Sequence, residues 1–196
     1  VTPLVGGKRG AVVSHIDITG RKRAERQVEY LAMHDHLTNL PNRQLFIDRM
    51  SQALARAKRY RKQVALLYLD VDNFKSINDT SGHVVGDTVL VEIGNRLQKC
   101  IRASDTVARL GGDEFAVILQ DIHQAEDSGM VAQKIADALT QPIEVQDSQI
   151  RVGVSIGISL YPEDGDNIVT LLKCADTAMY LVKSAGKGAF QYYSKE

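Results

Sequence analysis

The stretch Gly111-Gly112-Asp113-Glu114-Phe115 decides the fold of this chain, because it joins two runs with the composition of strands, Thr106 to Leu110 and Phe115 to Leu119. Two successive glycines between strands predict a tight hairpin, since glycine accepts the positive φ angles that such turns require. The two acids at its tip are either solvated or functional. The hairpin alone leaves both interpretations open.

The amino-acid composition excludes several classes of function. The chain has 196 residues, of which 44% are hydrophobic, enough for one buried domain plus an appendage. Lys plus Arg and Asp plus Glu both number 24, so no net field attracts a nucleic acid polymer. Cys100 and Cys174 have no close cysteine or histidine neighbour in sequence, which argues against a disulfide framework or a zinc site and fits a reducing, cytoplasmic setting. No apolar run approaches the ~20 residues of a membrane span. We therefore expect no membrane contact by this chain itself; any attachment would lie outside it.

The first 33 residues differ in character from the rest. A glycine-rich turn and an apolar run within residues 1–18 indicate the end of another domain, because an isolated hairpin is marginal in water. Thr19 to Met33 is predicted as a helix that places Ala24, Val28 and Leu31 at the four-then-three spacing of a coiled-coil seam. Spacing alone leaves an ordinary amphipathic helix and a dimerising linker as alternatives.

The remaining elements alternate between helices and strands. Helices are predicted at Arg43 to Tyr60, Val85 to Ile101, Ala125 to Leu139 and Ile168 to Ala185. Further strands are predicted at Val64 to Leu69, Ile143 to Val145, Ile150 to Leu160 and Phe190 to Tyr193, and residues 73–86 are predicted as a polar loop. This order indicates an α+β fold with helices packed on a mostly antiparallel central sheet. Gly153 and Gly157 in the predicted strand allow a neighbouring element to approach closely.

Three acids carry the first functional hypothesis. Asp70 follows the apolar strand, and it meets Asp113 and Glu114 if the two strands are neighbours. Carboxylate oxygens are the ligands that Mg²⁺ prefers, and two such ions can assist phosphoryl or nucleotidyl transfer. The pattern alone leaves three unrelated surface acids as the alternative.

The hairpin also carries a family resemblance. Arg109-Leu110-Gly111-Gly112-Asp113-Glu114-Phe115 resembles the signature of the GGDEF family, the diguanylate cyclases. Other ordered segments are similar to further motifs of that family: Asp35 to Arg43 to its N-terminal motif, Asp70 to Asp79 to its metal and substrate segment, Gly82-His83 and Gly86-Asp87 to the continuation of that segment, and Ala175 to Tyr180 with Lys183 to Lys187 to its closing helix and phosphate loop. The resemblance spans about Met33 to Tyr193.

The resemblance implies a fold like a polymerase palm or a nucleotide cyclase, with a ferredoxin-like core. It also implies a reaction, the condensation of two GTP into cyclic di-GMP with release of pyrophosphate. By position, Asp70, the carbonyl of Val71, Asp113 and Glu114 would hold Mg²⁺ or Mn²⁺, two ions per active site. Asp113 and Glu114 are the implied catalytic residues, with Asp113 the candidate base for the ribose 3′-hydroxyl.

The same resemblance implies how the nucleotide is held. Asn78 and Asp87, with His83 nearby, would read guanine, because adenine offers neither of the hydrogen-bond donors that a carboxylate accepts there. The implied phosphate ligands are Phe74, Lys75, Lys183 and Lys187, with Gly111 and Gly112 letting the chain approach. Lys187 stands where the family often has arginine, and loss of the bidentate fork predicts weaker GTP binding.

Regulation and assembly are implied as well. Arg102 and Asp105 match the family's RxxD site, which implies inhibition by bound cyclic di-GMP. Each half-site would bind one GTP, so catalysis implies a homodimer.

The domain boundaries follow from the ends of the chain. Residues 1–19 resemble the end of a PAS sensor domain, residues 20–33 a signalling helix, and residues 34–196 the GGDEF domain. The last residues are similar to a junction that continues into an EAL phosphodiesterase. This junction raises an alternative function: a catalytically weak GTP-binding domain that regulates an adjacent EAL phosphodiesterase.

Overall fold

The computed structural model describes residues 19–145 and 148–194. These residues fall into two units, with the division between Ala32 and Met33. The helix α1 spans Thr19–Met33, as predicted, and all of it except Met33 belongs to the first unit. Val28 and Leu31 are exposed by 68% and 56%, which leaves both interpretations of the helix open. The predicted PAS remnant lies, except for Thr19, outside the described residues.

The second unit alternates helices and strands. Its elements are α2 (Arg43–Tyr60), β1 (Gln63–Val71), α3 (Phe74–Ser81), α4 (His83–Cys100), β2 (Thr106–Gly111), β3 (Glu114–Ile122), α5 (Ala125–Thr140), β4 (Ile143–Val145), β5 (Ser148–Ile150), β6 (Val154–Tyr161), α6 (Ile168–Ala185) and β7 (Phe190–Tyr192). Within the described residues, no helix is both long and apolar enough to cross a membrane.

A five-stranded sheet with the order β2-β3-β1-β6-β7 forms the centre of this unit. β1 pairs antiparallel with both β3 and β6, β2 pairs antiparallel with β3, and β7 alone runs parallel to its neighbour β6. β4 and β5 form a separate two-stranded hairpin. The predicted α+β fold with a mostly antiparallel sheet is therefore confirmed.

Both faces of the sheet are covered by helices. Because side chains alternate along a strand, Leu67 of β1 packs with α4 and α5, whereas Leu66 packs with α2 and α6. Each fully buried apolar side chain of this kind contributes about 1.5–3 kcal/mol. The central strand is thus held between two apolar layers, and the chemistry-bearing residues lie at its end.

One close approach fixes α6 on the sheet. A Cβ added to Gly157 of β6 would lie 1.9 Å from the carbonyl oxygen of Ala175 and 2.4 Å from the amide of Met179. Only glycine leaves room for the helix backbone at this position. The prediction that this glycine allows a neighbouring element to approach is confirmed.

Two predictions about secondary structure were wrong. Residues 73–86 are not a loop, because they contain α3 and the start of α4, separated by Gly82 at φ +86°. α3 buries none of its residues fully, and its partly buried apolar residues, Phe74 and Ile77, are too few to stand out in a polar stretch. The predicted strand 150–160 is two strands, since β5 pairs with β4 and β6 begins only at Val154, beside β1.

Candidate active site

The carboxyl end of β1 meets the turn between β2 and β3. Asp70 lies directly opposite Glu114 in the antiparallel register of β1 and β3. The amide of Val71 donates to the carbonyl oxygen of Asp113 at 3.2 Å. The three acids singled out in the sequence therefore belong to one corner of the fold, as their strand order required.

A lysine balances the charge at this corner. The ammonium of Lys183, on α6, lies 2.7 Å from Oδ2 of Asp70. Burial raises the pKa of Asp70 above its usual value; Lys183 opposes that shift, and the negative charges of Asp113 and Glu114 reinforce it. Within the described residues no three His, Cys, Asp or Glu side chains are gathered into a group that could hold a metal ion. The corner is oxygen-rich and acidic, which is the chemistry that suits a hard divalent cation.

Tyr68 of β1 lies beside the carboxylate of Glu114. It precedes Asp70 by two residues on the same face of β1 and is 7% exposed. Burial raises the pKa of Tyr68, and the adjacent charge of Glu114 raises it further. The phenol is therefore neutral at physiological pH, beside a carboxylate.

The two glycines of the turn are required by backbone conformation. Gly111 has φ +149° and Gly112 has φ +52°, and a Cβ at either position would meet no atom of residues 19–145 or 148–194 within 4 Å. The space in front of the turn is therefore open. A side chain there would strain the backbone rather than clash with a neighbour.

Arg109 clamps the turn from behind. Its Nε and Nη2 donate to the carbonyl oxygen of Gly112 at 3.0 and 2.8 Å, and its Nη1 donates to Oδ1 of Asp35 at 2.9 Å. The side chains of Arg109 and Asp35 are only 10% and 15% exposed. The backbone of Arg109 is also tied to this region, since its amide donates to the carbonyl of Pro41 at 2.9 Å.

Asp35 is itself held by its own loop. The amide and hydroxyl of Thr38 donate to Oδ1 of Asp35 at 2.9 and 2.7 Å. Burial alone would raise the pKa of Asp35, but the bonds from Thr38 and Arg109 outweigh it and lower that pKa below the usual value. The sequence analysis assigned no role to Asp35 or Arg109. The Asp35-x-x-Thr38 spacing, typical of an aspartate that bonds to its own turn, was the available signal.

The candidate guanine residues line the contact between α3 and α4. Oδ1 of Asn78 is buried and finds no hydrogen-bond partner among the described residues. A Cβ added to Gly86 would lie 1.9 Å from that oxygen, so Gly86 makes room for the amide of Asn78. His83 and Asp87 lie exposed on the first turns of α4. An orphaned polar atom beside an exposed carboxylate suits a planar, hydrogen-bonding ligand.

The candidate phosphate residues surround the start of α3. Phe74 and Lys75 are its first two residues, and their backbone amides lie at the helix end, which carries positive partial charge. Phe74 is partly buried against the core, and the side chain of Lys75 is exposed. Lys183 and Lys187 come from the last turn of α6 and the loop after it; Lys187 contacts Asn73 just before α3, whereas Lys183 contacts Asp70.

Asp72 joins this loop to β1. It is 7% exposed, accepts from the hydroxyl of Ser155 at 2.7 Å through Oδ1, and accepts from the amide of Gly188 at 3.1 Å through Oδ2. A Cβ on Gly153 would lie 2.8 Å from the same Oδ2. The sequence analysis gave Asp72 no role, because its two partners are distant in the chain.

The RxxD residues lie elsewhere, at a groove of about 410 Å³ beside β3 and α5. Arg102 is exposed, and Oδ2 of Asp105 accepts from the amide of Arg102 at 3.2 Å. Oδ1 of Asp105 accepts from the amide of Gln120 at 3.1 Å. Lys134 of α5 also lines the groove, together with the carboxylates of Asp121 and Asp127, so both signs of charge face it.

The sequence matches, over residues 32–189, the family described as diguanylate cyclase, GGDEF domain. The chain belongs to the GGDEF family. The GGDEF resemblance drawn from the motifs is thereby confirmed.

Two curated relatives of this GGDEF domain come from Pseudomonas aeruginosa. It is 42% identical over 175 residues to the bifunctional diguanylate cyclase/cyclic di-GMP phosphodiesterase MucR, covering 89% of this chain and 25% of MucR. It is 47% identical over 159 residues to the diguanylate cyclase TpbB, covering 81% of this chain and 37% of TpbB. The chain therefore spans well under half the length of either relative.

Solved structures show the same fold. The crystal structure of the GGDEF domain of TpbB has a TM-score of 0.79 at 44% identity, covering 81% of this chain and 99% of that one. The coiled coil and GGDEF domain of DgcB from Caulobacter crescentus, in complex with c-di-GMP, has a TM-score of 0.82 at 26% identity, covering 90% of this chain and 93% of that one.

Proposed function

We propose that this GGDEF domain is a diguanylate cyclase, which condenses two GTP into cyclic di-GMP and releases two pyrophosphates. The observation that carries this proposal is the alignment of Asp70 with Glu114 across β1 and β3, beside Asp113. Mutual repulsion contributes to the raised pKa of Asp70, and a divalent cation would relieve it. Similarity to the diguanylate cyclase TpbB supports the same assignment.

The oxygen-rich, acidic chemistry of this corner suits divalent cations. We assign Asp70, the carbonyl of Val71, Asp113 and Glu114 to hold Mg²⁺ or Mn²⁺. When bound, such ions lower the pKa of the ribose 3′-hydroxyl and stabilise the charge of the leaving pyrophosphate.

The chain's own side chains complete the reaction. In each of the two condensations a 3′-oxygen forms a bond to the α-phosphorus of the other GTP, and the bond from that phosphorus to pyrophosphate breaks. Asp113, on the partly exposed turn, accepts the 3′-hydroxyl proton. Lys75, Lys183 and Lys187 neutralise the triphosphate, while the open space before Gly111 and Gly112 admits it.

Selection of guanine rests on the α3–α4 contact. The buried amide of Asn78 and the carboxylate of Asp87, with His83 beside it, would pair with the Watson–Crick edge of guanine. ATP would leave these groups unpaired, which typically costs a factor of about 10⁴ or more in selectivity.

The reaction requires two copies of the domain. The acidic corner of one domain would hold one GTP, and the reaction joins two GTP molecules. The catalytic form is therefore a homodimer in which the turns of the two domains face each other. Helix α1 exposes Val28 and Leu31 and is a candidate for the dimerising linker. We place the chain in the cytoplasm, where GTP is available and where the free, buried Cys100 and Cys174 would remain reduced.

The test is product formation by an enforced dimer. A parallel coiled coil fused before residue 19 should give cyclic di-GMP and pyrophosphate from GTP and Mg²⁺, both measured by chromatography. The matched Asp113→Asn dimer should bind GTP, but its rate of product formation should fall by a factor of about 10³ or more. An enforced wild-type dimer that binds GTP and forms no product would contradict the cyclase assignment.

That negative outcome would favour a second function. The relative MucR carries both cyclase and phosphodiesterase in its name, and Lys187 replaces a residue that is often arginine in the family. On this alternative the domain binds GTP and regulates an adjacent EAL phosphodiesterase. Residues 1–19 would then belong to a PAS sensor, and residues 20–33 would transmit its signal.

We also propose that cyclic di-GMP inhibits the enzyme at Arg102 and Asp105. The guanidinium of Arg102 is exposed at the groove and matches the O6 and N7 acceptors of guanine. Arg102→Ala should abolish inhibition by added cyclic di-GMP and leave the uninhibited turnover of the enforced dimer unchanged. Unaltered inhibition in this variant would contradict the site.

A further inference from the structure

The loop after α6 is held rigidly against the end of β1. Gly186 ends the helix, and the amide of Lys187 donates back to the carbonyl of Val182 at 3.0 Å. The next amide, that of Gly188, donates to the buried carboxylate of Asp72 at 3.1 Å. Lys187 has φ +69°, so its backbone orientation is specified by these bonds.

The side chain of Lys187 is held as well. Its ammonium donates to Oδ1 of Asn73 at 2.7 Å, across 114 residues of sequence. Asn73 has φ +59°, a conformation that asparagine tolerates better than most residues. An asparagine at a helix N-cap usually accepts from the first-turn amides, but in α3 the side chain of Asn73 makes no such bond. Instead, its side-chain oxygen accepts the hydrogen bond from Lys187.

The ammonium of Lys187 and the N-terminal end of α3 both carry positive charge. The ammonium of Lys187 lies at the N-terminus of α3, where the helix dipole repels a cation. Its partner there is a neutral amide oxygen, whereas Lys183 has the carboxylate of Asp70. A triphosphate at the first turn of α3 would supply the missing negative charge.

We propose that Asn73 is a positioning residue, which orients the ammonium of Lys187 over the first turn of α3 to receive the triphosphate of GTP. This role rests on the proposed function and deepens it. A lysine has a flexible four-carbon stem and no planar fork, so binding must restrict many rotamers. Asn73 restricts them in advance, which compensates in part for the lysine at a position where the family often has arginine.

Glycine at position 73 is the suitable probe, because it adopts φ +59° without strain and removes only the acceptor. Binding is measured by calorimetry with Mg²⁺ and 3′-deoxy-GTP, which keeps the triphosphate but lacks the attacking hydroxyl. Asn73→Gly should weaken binding about three- to tenfold. Lys187→Met should weaken it at least as much, and the double variant should bind no more weakly than Lys187→Met alone.

Rescue separates positioning from a general structural role. Lys187→Arg in the Asn73→Gly background should restore binding, because the planar guanidinium presents two parallel donors without the tether. The melting temperature of Asn73→Gly should stay near that of the wild type. A general loosening of the loop would not be repaired by arginine.

Three outcomes overturn the proposal. Equal or tighter binding by Asn73→Gly would mean that Asn73 is irrelevant or holds Lys187 away from the phosphates. Additive losses in the double variant would mean that the two residues act independently. A wild-type chain that does not bind the analogue would overturn the proposed function too, whereas normal wild-type binding with an unchanged Asn73→Gly overturns only the positioning role.

Discussion

Arg109→Met tests whether the acidic turn is held in place by the clamp behind it. The substitution removes three hydrogen bonds, two to the carbonyl of Gly112 and one to Asp35, and leaves the carboxylate of Asp35 buried without its cation. Removing one partner of a buried ion pair typically costs about 3–5 kcal/mol. For a domain of this size each kcal/mol lowers the melting temperature by about 2–4 °C, so a fall of at least ~6 °C is expected.

The chain offers a matched control at its surface. Arg56 and Asp121 also approach to 2.9 Å, but their side chains are 58% and 40% exposed, against 10% and 15% for Arg109 and Asp35. Arg56→Met should therefore cost no more than about 1 kcal/mol. Both variants are compared by calorimetric melting and by product formation in the enforced dimer. Only Arg109→Met should lower turnover, since only Arg109 holds the turn.

A third variant isolates the cause of the loss. If the cost comes from an uncompensated buried charge, Asp35→Asn added to Arg109→Met should recover part of the lost stability while turnover stays low. The reasoning would be refuted by an Arg109→Met variant that melts no lower than Arg56→Met. It would also be refuted by a double variant less stable than the single one.

The remaining predictions concern pH, backbone contact and the metal. Because the pKa of Asp35 is lowered in the folded protein, the stability that its carboxylate contributes is present at neutral pH and is lost as pH falls below about 4. The free energy of unfolding of the wild type in urea should therefore exceed that of Asp35→Asn at neutral pH, and this difference should shrink below about pH 4. Gly157→Ala drives a Cβ into the backbone of α6 and should cost about 3 kcal/mol or more in the same assay. Gly111→Ala meets no atom and should cost about 1–3 kcal/mol through strain, with a larger loss of turnover. Lys183→Met removes the cation beside Asp70 and should tighten nucleotide-free Mn²⁺ binding about three- to fivefold by electron spin resonance, while weakening GTP binding.

Each of these has an outcome that contradicts it. A difference between wild type and Asp35→Asn that stays constant from pH 7 to 2 would show that the ionised carboxylate is not the source of stability. Gly157→Ala and Gly111→Ala serve as controls for each other, and equal stability losses would mean that the α6 contact is not tight. Unchanged or weaker Mn²⁺ binding by Lys183→Met would show that its ammonium does not compete for Asp70.

Much of this fold was predictable because its elements carry strong local signals. The helix α2 begins after the cap Asn42 and α6 ends at Gly186, and the apolar run of β1 has the length of a buried strand. The acidic corner followed from strand order, since Asp70 and Glu114 end up opposite once β1 pairs with β3. α3 was not predicted because its apolar residues Phe74 and Ile77 are only partly buried and too few to establish a helical period among polar neighbours.

The contact between Arg109 and Asp35, which helps to hold the acidic turn, could not be predicted from local sequence pattern. Arg109 and Asp35 are 74 residues apart, and each alone resembles an ordinary surface charge. Asp72 lies two residues after Asp70 and would pass as a metal ligand, yet its carboxylate accepts hydrogen bonds from Ser155 and Gly188. Contacts of this kind depend on tertiary approach, which neither composition nor periodicity encodes.

The bond between Gly188 and Asp72 also has a consequence that we expect for the order in which the site forms during synthesis. The two residues are 116 positions apart, so β1 and β3 can pair long before the loop after α6 exists. We expect the contact between these two distant residues to form late, because the loss of chain entropy on bringing them together must be offset by contacts made elsewhere. A growing chain would carry the acidic turn without the cationic loop that faces it. Activity should therefore appear only after nearly the whole domain has been translated and folded, and no shortened product should form cyclic di-GMP.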